Sequence, residues 1–233
     1  MKPAACARRA AGSPWLQAER EYRQQSRDDR AIGAAIARGD VVAWVQGRWE
    51  IGPRALGNRS LLAEPYSIAT KDKLNRIKQR ENYRPIAPCC REEDLASLRG
   101  VLRWHQVGQG AGGGDHLPRG AVDRGAAGVE LDRDDFPDPH MLYFRRVRSP
   151  RLGAITHVDG SARVQSVTAA ANPELHSLLN AFAAETGLGV LCNTSLNHNR
   201  RGFINRMSDL IRHCEDRQVE HMVVGDRWYQ RID

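Results

Sequence analysis

Two short apolar runs, Val41–Gln46 (VVAWVQ) and Gly189–Cys192 (GVLC), each break directly into a stretch of glycine, arginine, asparagine and hydroxyl residues. Runs this short, bounded by turn residues, have the length of buried strands rather than of helices. A chain carrying them must build a sheet around them. The second run leads into Asn193–Asn197 (NTSLN). Ligands in α/β sheets sit beyond the carboxyl ends of strands, so that segment is where a site is first sought.

Helical periodicity fills the spaces between strands. Leu16–Arg38 reads as a helix with Ile32, Ala35 and Ile36 on one face, ended by Gly39-Asp40. Thr70–Arg80 reads as a polar helix with Leu74 and Ile77 inward, and Arg84-Pro85 forces extended chain just beyond it. Asn172-Pro173 opens a helix lined by Leu175, Leu178, Leu179 and Phe182 and closed by Gly187. Ser208 is expected to cap a last helix to about Arg217, before strands at Val219–Val224 and Trp228-Tyr229. Met141–Arg146 has strand character. Ala154–Val158 and Ala162–Val167 alternate about Asp159-Gly160, the pattern of a β-hairpin. Gly47–Ser60 reads as a loop with a short helical piece. Alternating helices and strands predict an α/β or α+β sheet domain. Residues 1–40 are read as a tail and lead-in helix, and 41–233 as the domain. Within it, about 101–135 lacks hydrophobic period (GQGAGGGD, DRGAAG) and reads as a flexible insertion that loops out.

Composition excludes several classes. The 233 residues are 41% hydrophobic and 27% charged, the balance of a soluble globular protein. No apolar run is long enough for a membrane span, and no apolar segment follows Arg8 and Arg9, so no secretory signal is expected. Five cysteines, an odd number without a CxxC pair, argue against a disulfide framework and a structural zinc site. A reducing cytoplasm is the simplest home, and no metal-ligating residues are singled out. The formal net charge is +7. Its arginines gather in compact clusters, which suits a pocket for one anion better than a stripe for a polymer. At 6% aromatic content, stacking platforms for bases are scarce, so a nucleic-acid partner is not expected.

Four clusters are candidates for chemistry. Arg48, Glu50, Gly52, Arg54, Gly57, Asn58, Arg59 and Ser60 combine guanidinium forks with glycines that let backbone N–H groups approach an oxyanion. A solvated loop is the plainer reading, and no GxxxxGK phosphate loop is present. Lys78, Arg80 and Arg84 end the polar helix, where cations also serve as ordinary caps. Lys78 and Arg80 do not share a helix face, which suggests that the chain unwinds there. His157, Asp159, Ser161, Arg163 and Gln165 form one polar sheet face, either a pocket wall or a solvated surface. Asn193, Thr194, Ser195 and Asn197 follow a buried strand as small donors, or as a polar turn. Cys89, Cys90 and Cys192 read as packing residues.

Taken in order, the stretches QGRWEIGPRALGNRSLLAEP, LNRIKQRENYRPIAP, ITHVDGSARVQSV and TGLGVLCNTSLN resemble the C-terminal region of the carbamoyltransferase family. That family carbamoylates tobramycin, cephem antibiotics and nodulation factors. The resemblance covers about Trp44–Pro88 and Met141–Tyr229. It implies a YrdC/Sua5-like twisted mixed sheet with flanking helices and a basic central cavity. It also implies that ATP and carbamoyl phosphate form carbamoyl-adenylate here, with Mg²⁺. A Kae1-like N-terminal domain would then pass the carbamoyl group to a hydroxyl of a small-molecule acceptor. The Lys-x-Arg and Ser-x-Asn signature of YrdC-like proteins falls on Lys78-Gln79-Arg80 and Ser195-Leu196-Asn197. Catalytic roles are thereby implied for Lys78, Arg80, Arg84 and Arg163. Substrate binding is implied for Arg54, Asn58, Arg59, Ser60, Lys78, Arg84, His157, Asp159, Ser161, Arg163, Asn193, Ser195 and Asn197.

Two departures accompany the resemblance. No HxxxH-type metal motif is visible, so the Kae1-like half is expected to lie on another chain or to be lost. The 101–135 segment does not fit the family. A threonylcarbamoyl-adenylate synthase-like enzyme and a non-catalytic RNA- or anion-binding module are the alternatives.

Overall fold

A computed structural model describes residues 22–99, 137–147, 149–198 and 202–232. The central strands alternate their side chains between two apolar layers. Val42, Trp44, Leu62, Leu191 and Val223 face one layer. Ala43, Leu61, Ala63, Val190, Cys192 and Met222 face the other. A sheet apolar on both sides must be covered on both sides. Helices α1 (Asp29–Ala37) and α3 (Pro173–Thr186) cover the first face through Ile32, Ile36, Leu175, Leu178, Leu179 and Phe182. Helices α2 (Ile68–Ile77) and α4 (Met207–Arg217) cover the second through Leu74, Ile77, Leu210, Ile211 and Cys214. Each such side chain, once buried, contributes about 1.5–3 kcal/mol.

The sheet itself joins β1 (Tyr22–Ser26), β2 (Val42–Val45), β3 (Arg59–Ala63), β4 (Ala87–Arg91), β7 (Gln165–Val167), β8 (Val190–Ser195), β11 (His221–Val224) and β12 (Arg227–Arg231). Their order is β1-β12-β11-β2-β3-β8-β4-β7. The pairs β11/β2 and β4/β7 are parallel and the others antiparallel, so this is a mixed α/β fold. Two small ribbons lie outside it: β5 (Arg145–Arg146) with β6 (Ser161–Ala162), and β9 (Asn197–His198) with β10 (Gly202–Phe203). A 3₁₀ turn, Glu92–Arg99, follows β4.

This topology positions the site. Strand β8 runs antiparallel to both β3 and β4, with Ser195 opposite Ser60 and Asn193 opposite Ala87. The carboxyl end of β8 therefore adjoins the amino ends of β3 and β4. Strand β7 is parallel to β4, so its amino end lies on the same side. The segments preceding β3, β4 and β7 are thus brought to the end of β8.

Several local readings agree with the structure. Asn172 caps α3 by accepting from Leu175 N at 3.0 Å, and Gly187 closes it in the left-handed region at φ 82°. Helix α2 ends at Ile77, and Gln79 has turned to φ 50°. Four others are corrected. Residues 22–26 are the edge strand β1, held by β12 some two hundred positions away, and not the start of α1. The two halves of the expected hairpin do not pair: residues 154–158 form turns, while β6 pairs with β5. Only Arg145–Arg146 of the expected 141–146 strand pairs, because Asp138 ties up the main-chain N–H groups of Leu142 and Tyr143. The residue capping α4 is Arg206, without a side-chain bond, and not Ser208. The segment 101–135 lies outside the described residues.

Candidate functional site

The chain between β2 and β3 contains no helical piece, contrary to the expectation from its sequence. Glu50 takes the N–H groups that a helix would have used. Its Oε1 accepts from Leu56 N at 2.7 Å, Asn58 N at 2.8 Å and Arg59 N at 3.3 Å. Arg59 is buried and clamps the loop from the other side. Its Nη1 donates to the carbonyls of Gln46 and Asn58, both at 2.8 Å, and its Nη2 to that of Gly47 at 3.1 Å. Gly57, at φ 94°, lies where a Cβ would strike Leu175 of α3 at 2.4 Å. A side chain there would be strained by backbone and by contact alike. The loop is fastened to the sheet by Asn193 Nδ2, which donates to Ala55 O at 3.1 Å, and by Gln165 Nε2, which donates to Leu56 O at 2.9 Å.

The turn between α2 and β4 is organised by Asn75, a fully buried residue of α2. Its Nδ2 donates to Asn82 O at 3.2 Å and Arg84 O at 3.0 Å, while its Oδ1 accepts from Arg80 Nε at 2.6 Å. One amide thus fixes both arginines of the turn. An asparagine inside a helix was the available signal, since its side chain competes with the helical backbone and disfavours that position.

These fastenings create a cavity of about 260 Å³ at the end of β8. Arg54, Arg80, Arg84, Arg163 and His157 line it with Asn193, Thr194, Ser195 and Met141. No carboxylate is among the described lining residues. Lys78 stands at its edge. Its Nζ donates to Ser195 O at 2.5 Å, to Ser195 Oγ at 3.2 Å and to Asn197 Oδ1, and Ser195 Oγ donates to Asn197 Oδ1 at 3.0 Å. Two segments 117 residues apart close on each other through this ammonium. Arg163 stacks over the Phe144 ring at 4.8 Å, and Phe144 meets His157 edge-on at 5.7 Å.

The cations are held where their charge is costly. Burial, with Arg80 adding repulsion, pulls the Lys78 ammonium down to about 8. Burial, then Arg84, lowers Arg80 against the pull of Glu81. Burial, then Arg54, lowers Arg163 against Asp138. His157 is lowered by burial and by Arg163, with Asp159 opposing. Crowded, partly desolvated cations around a cavity whose described lining holds no carboxylate, with Glu81 paired to Arg84 beside it, favour an anion with several charges.

Other residues singled out in the sequence stand apart from the cavity wall. Arg59 and Asn58 belong to the loop scaffold described above. Asn58 also faces a neighbouring hollow beside Asn172. Ser60 is buried on β3. Asp159 points to its own turn, accepting from Ser161 N at 2.9 Å and Ser161 Oγ at 2.7 Å, and Gly160 completes that turn at φ 77°. Cys89, Cys90, Cys192 and Cys214 are buried free thiols. Among the described residues no three His, Cys, Asp or Glu side chains converge as a metal site, and no helix is long and apolar enough to cross a membrane.

Comparison with known proteins adds a family. The family model described as "Carbamoyltransferase C-terminus" matches residues 33–103 and 121–231. The chain is 57% identical over 206 residues to a 3'-hydroxymethylcephem-O-carbamoyltransferase of Streptomyces clavuligerus, covering 88% of this chain and 33% of that protein. It is 39% identical over 207 residues to nodulation protein NolO of Bradyrhizobium diazoefficiens, covering 86% of this chain and 32% of that protein. To nodulation protein U of Rhizobium fredii it is 32% identical over 203 residues, covering 86% and 29% respectively. The chain spans about a third of the length of these relatives.

Proposed function

This chain belongs to the carbamoyltransferase C-terminus family, and on that premise we propose that it makes carbamoyl-adenylate from ATP and carbamoyl phosphate. In this reading it is the C-terminal part of an O-carbamoyltransferase, its sheet is YrdC/Sua5-like, and the arginine-lined cavity is the reaction chamber. The observation that carries the reading is the contact of Lys78 with Ser195 and Asn197 beside a cavity lined by Arg80, Arg84 and Arg163.

The reaction balances with one water. Carbamoyl phosphate and water give carbamate and phosphate. A carbamate oxygen then attacks the α-phosphorus of ATP, and the bond to the leaving pyrophosphate breaks. Charge accumulates on phosphoryl oxygens throughout, so positioning and charge neutralisation supply most of the catalysis. Arg84 and Arg163 present forked donors for phosphoryl oxygens. Lys78, held by Ser195 and Asn197, brings a point charge to the same wall. Arg80, fixed through Asn75, reinforces it. No nucleophilic side chain is required, in keeping with cysteines that burial holds as thiols.

Mg²⁺ is implied by the family, but the cavity wall does not fit a protein-held Mg²⁺. The nearby carboxylates are committed: Asp138 to the N–H groups of Leu142 and Tyr143, Glu81 to Arg84, Asp159 to Ser161. Magnesium would enter as part of the nucleotide substrate, and no step is assigned to it. Transfer to a small-molecule hydroxyl is assigned to a Kae1-like domain, in keeping with relatives about three times as long as this chain.

Incubating the chain with MgATP and carbamoyl phosphate tests the reading. Pyrophosphate and carbamoyl-adenylate are expected, with no carbamoylation of an added alcohol until a Kae1-like domain is supplied. Pyrophosphate release that needs threonine and bicarbonate instead, or salt-dependent RNA binding with no turnover, would replace it.

A further inference from the structure

One ring of the arginine-lined cavity is arranged to take a proton rather than to carry one. His157 is half-buried and lines this cavity with Arg54, Arg80, Arg84 and Arg163. It also lines an adjoining hollow with Lys71 and Asp159, so it stands where the two meet. Ser161 Oγ lies 3.3 Å from His157 Nδ1 and 2.7 Å from Asp159 Oδ1. Hydrogen bonds from Ser161 hold the Asp159 carboxyl below its ordinary range, so it is ionised. A hydroxyl has one hydrogen, and an ionised carboxylate can only accept. The Ser161 hydrogen therefore goes to Asp159, and the Ser161 oxygen accepts from His157 Nδ1–H. With that hydrogen on Nδ1, the neutral ring carries its lone pair on Nε2. Nε2 bonds no other described residue and is not among the enclosed polar atoms.

The surroundings keep the ring neutral. Burial lowers its pKa below the ordinary 6.5, Asp159 opposes, and Arg163 adds repulsion. Arg54, Arg80 and Arg84 share the cavity with it and Lys71 the adjoining hollow, all disfavouring one more positive charge. Phe144 meets the ring edge-on and brings no charge. Among the described lining residues no other side chain can take a proton at neutral pH. The arginines are already charged, no carboxylate is present, and the rest are apolar, amide or hydroxyl groups. Lys78, at the edge, is an ammonium below about pH 8.

One step of the proposed reaction calls for such a group. Water is a weak nucleophile toward a carbamoyl carbon, whose nitrogen feeds electrons into the carbonyl, and its attack needs a proton removed as the bond forms. We propose that His157 is the general base that activates water for the conversion of carbamoyl phosphate to carbamate. Nε2 takes a proton from water as the water oxygen bonds to the carbamoyl carbon. The C–O bond to phosphate then breaks, its electron pair leaves with phosphate, and the proton on Nε2 passes to that phosphate. The carbamic acid left behind gives its proton to solvent and attacks ATP as carbamate. Ser161 and Asp159 are positioning residues that keep the Nδ1 hydrogen away from the water. The inference rests on the reaction proposed above and assigns one of its steps.

Carbamate supplied directly, as its ammonium salt, bypasses this step and so tests it. Pyrophosphate release is measured with MgATP and either carbamoyl phosphate or carbamate, in mildly alkaline buffer where carbamate persists. The wild-type chain is expected to use both. His157→Gln is expected to lose about 10²–10⁴-fold with carbamoyl phosphate and far less with carbamate. Ser161→Ala, which removes the hydroxyl that orients the ring, is expected to show the same imbalance at smaller size. Equal losses with both substrates overturn the inference, since a damaged cavity does not tell them apart, and leave the reaction reading intact. Wild-type release from carbamoyl phosphate but not from carbamate also overturns it, because carbamate is then not the attacking species. A further measurement needs no variant. Release driven by carbamoyl phosphate should fall about tenfold per unit as pH drops through the lowered His157 value. Release that rises there instead makes the ring a cation for phosphate oxygens, and the inference falls. No release from either substrate overturns both the inference and the reaction.

Discussion

The loop before β3 and the turn before β4 contain the same kinds of residue, arginines set among polar and turn-forming neighbours, and use them in opposite ways. In the first, Arg59 donates to three main-chain carbonyls around the loop it sits in, with Glu50 gathering three N–H groups of the same segment. In the second, Arg80 donates from Nε to Asn75 Oδ1 and from Nη2 to Pro85 O at 3.4 Å, Arg84 pairs with Glu81 at 2.8 Å, and both arginines still reach the cavity. The difference lies in who supplies the acceptors. Where the protein's own carbonyls surround a guanidinium, the charge builds architecture. Where they hold it at fewer points, part of the guanidinium still lines the cavity.

That contrast can be broken by experiment. The largest effect is expected at the cavity. Arg163→Ala or Lys78→Ala should slow pyrophosphate release from ATP in the presence of carbamoyl phosphate on the order of 10²–10³-fold, with little change in melting temperature for Arg163→Ala. A variant that turns over normally would remove these residues from the chemistry. Next comes the scaffold. Glu50→Ala strands three N–H groups and should cost about 3 kcal/mol of stability, or about 6–12 °C in a melting curve. Unchanged melting with lost turnover would place Glu50 in the site instead.

A smaller, graded effect is expected with pH. Burial and Arg80 hold the Lys78 ammonium at about 8, below its ordinary 10.5. The folded state therefore binds fewer protons than the unfolded chain between those values. The cost of burying the charge is full below about pH 8 and fades as pH rises toward 10.5, so this residue makes stability rise across that window. Turnover should move the other way, falling about tenfold per unit above pH 8 as the charge is lost. Lys78→Arg should carry the alkaline limb upward. Stability and turnover falling together would exclude Lys78 as the cause. The smallest effect concerns the thiols. Burial pushes Cys89 up to about 12 and raises Cys90, Cys192 and Cys214. A maleimide at pH 7.5 should leave all four unlabelled, checked by mass spectrometry of the peptides, with turnover unaffected.

Much of this molecule was legible where information is local. The cap, apolar face and terminator of α3 lie within sixteen positions, Asn172 to Gly187, and the reading of that helix needs nothing else. The same holds for β2 and for the unwinding after Ile77. Edge strand β1 was misread because the partner that makes residues 22–26 a strand is β12, at the far end of the chain. The hairpin about Asp159-Gly160 was misassigned for a similar reason: the turn forms, but β5 supplies the pairing strand for β6. At the site, Lys78, Arg80 and Ser195 could be picked out in sequence, while for Asn75 only its unfavourable place inside a helix gave a signal, and its partners Asn82, Arg84 and Arg80 are fixed by the fold.

By itself the sequence determined the period of its helices and strands, the residues able to bear charge, and the family to which they belong. Those follow from neighbours a few positions apart. Which arginine is spent on a loop and which faces a cavity was decided only when antiparallel β8 brought three distant segments to one end of the sheet. The same closure turned the Asn193 amide nitrogen inward and left its oxygen without a donor. Hydrogen-bond partners in space are not ordered along the chain, so satisfaction or its absence exists only in the folded molecule.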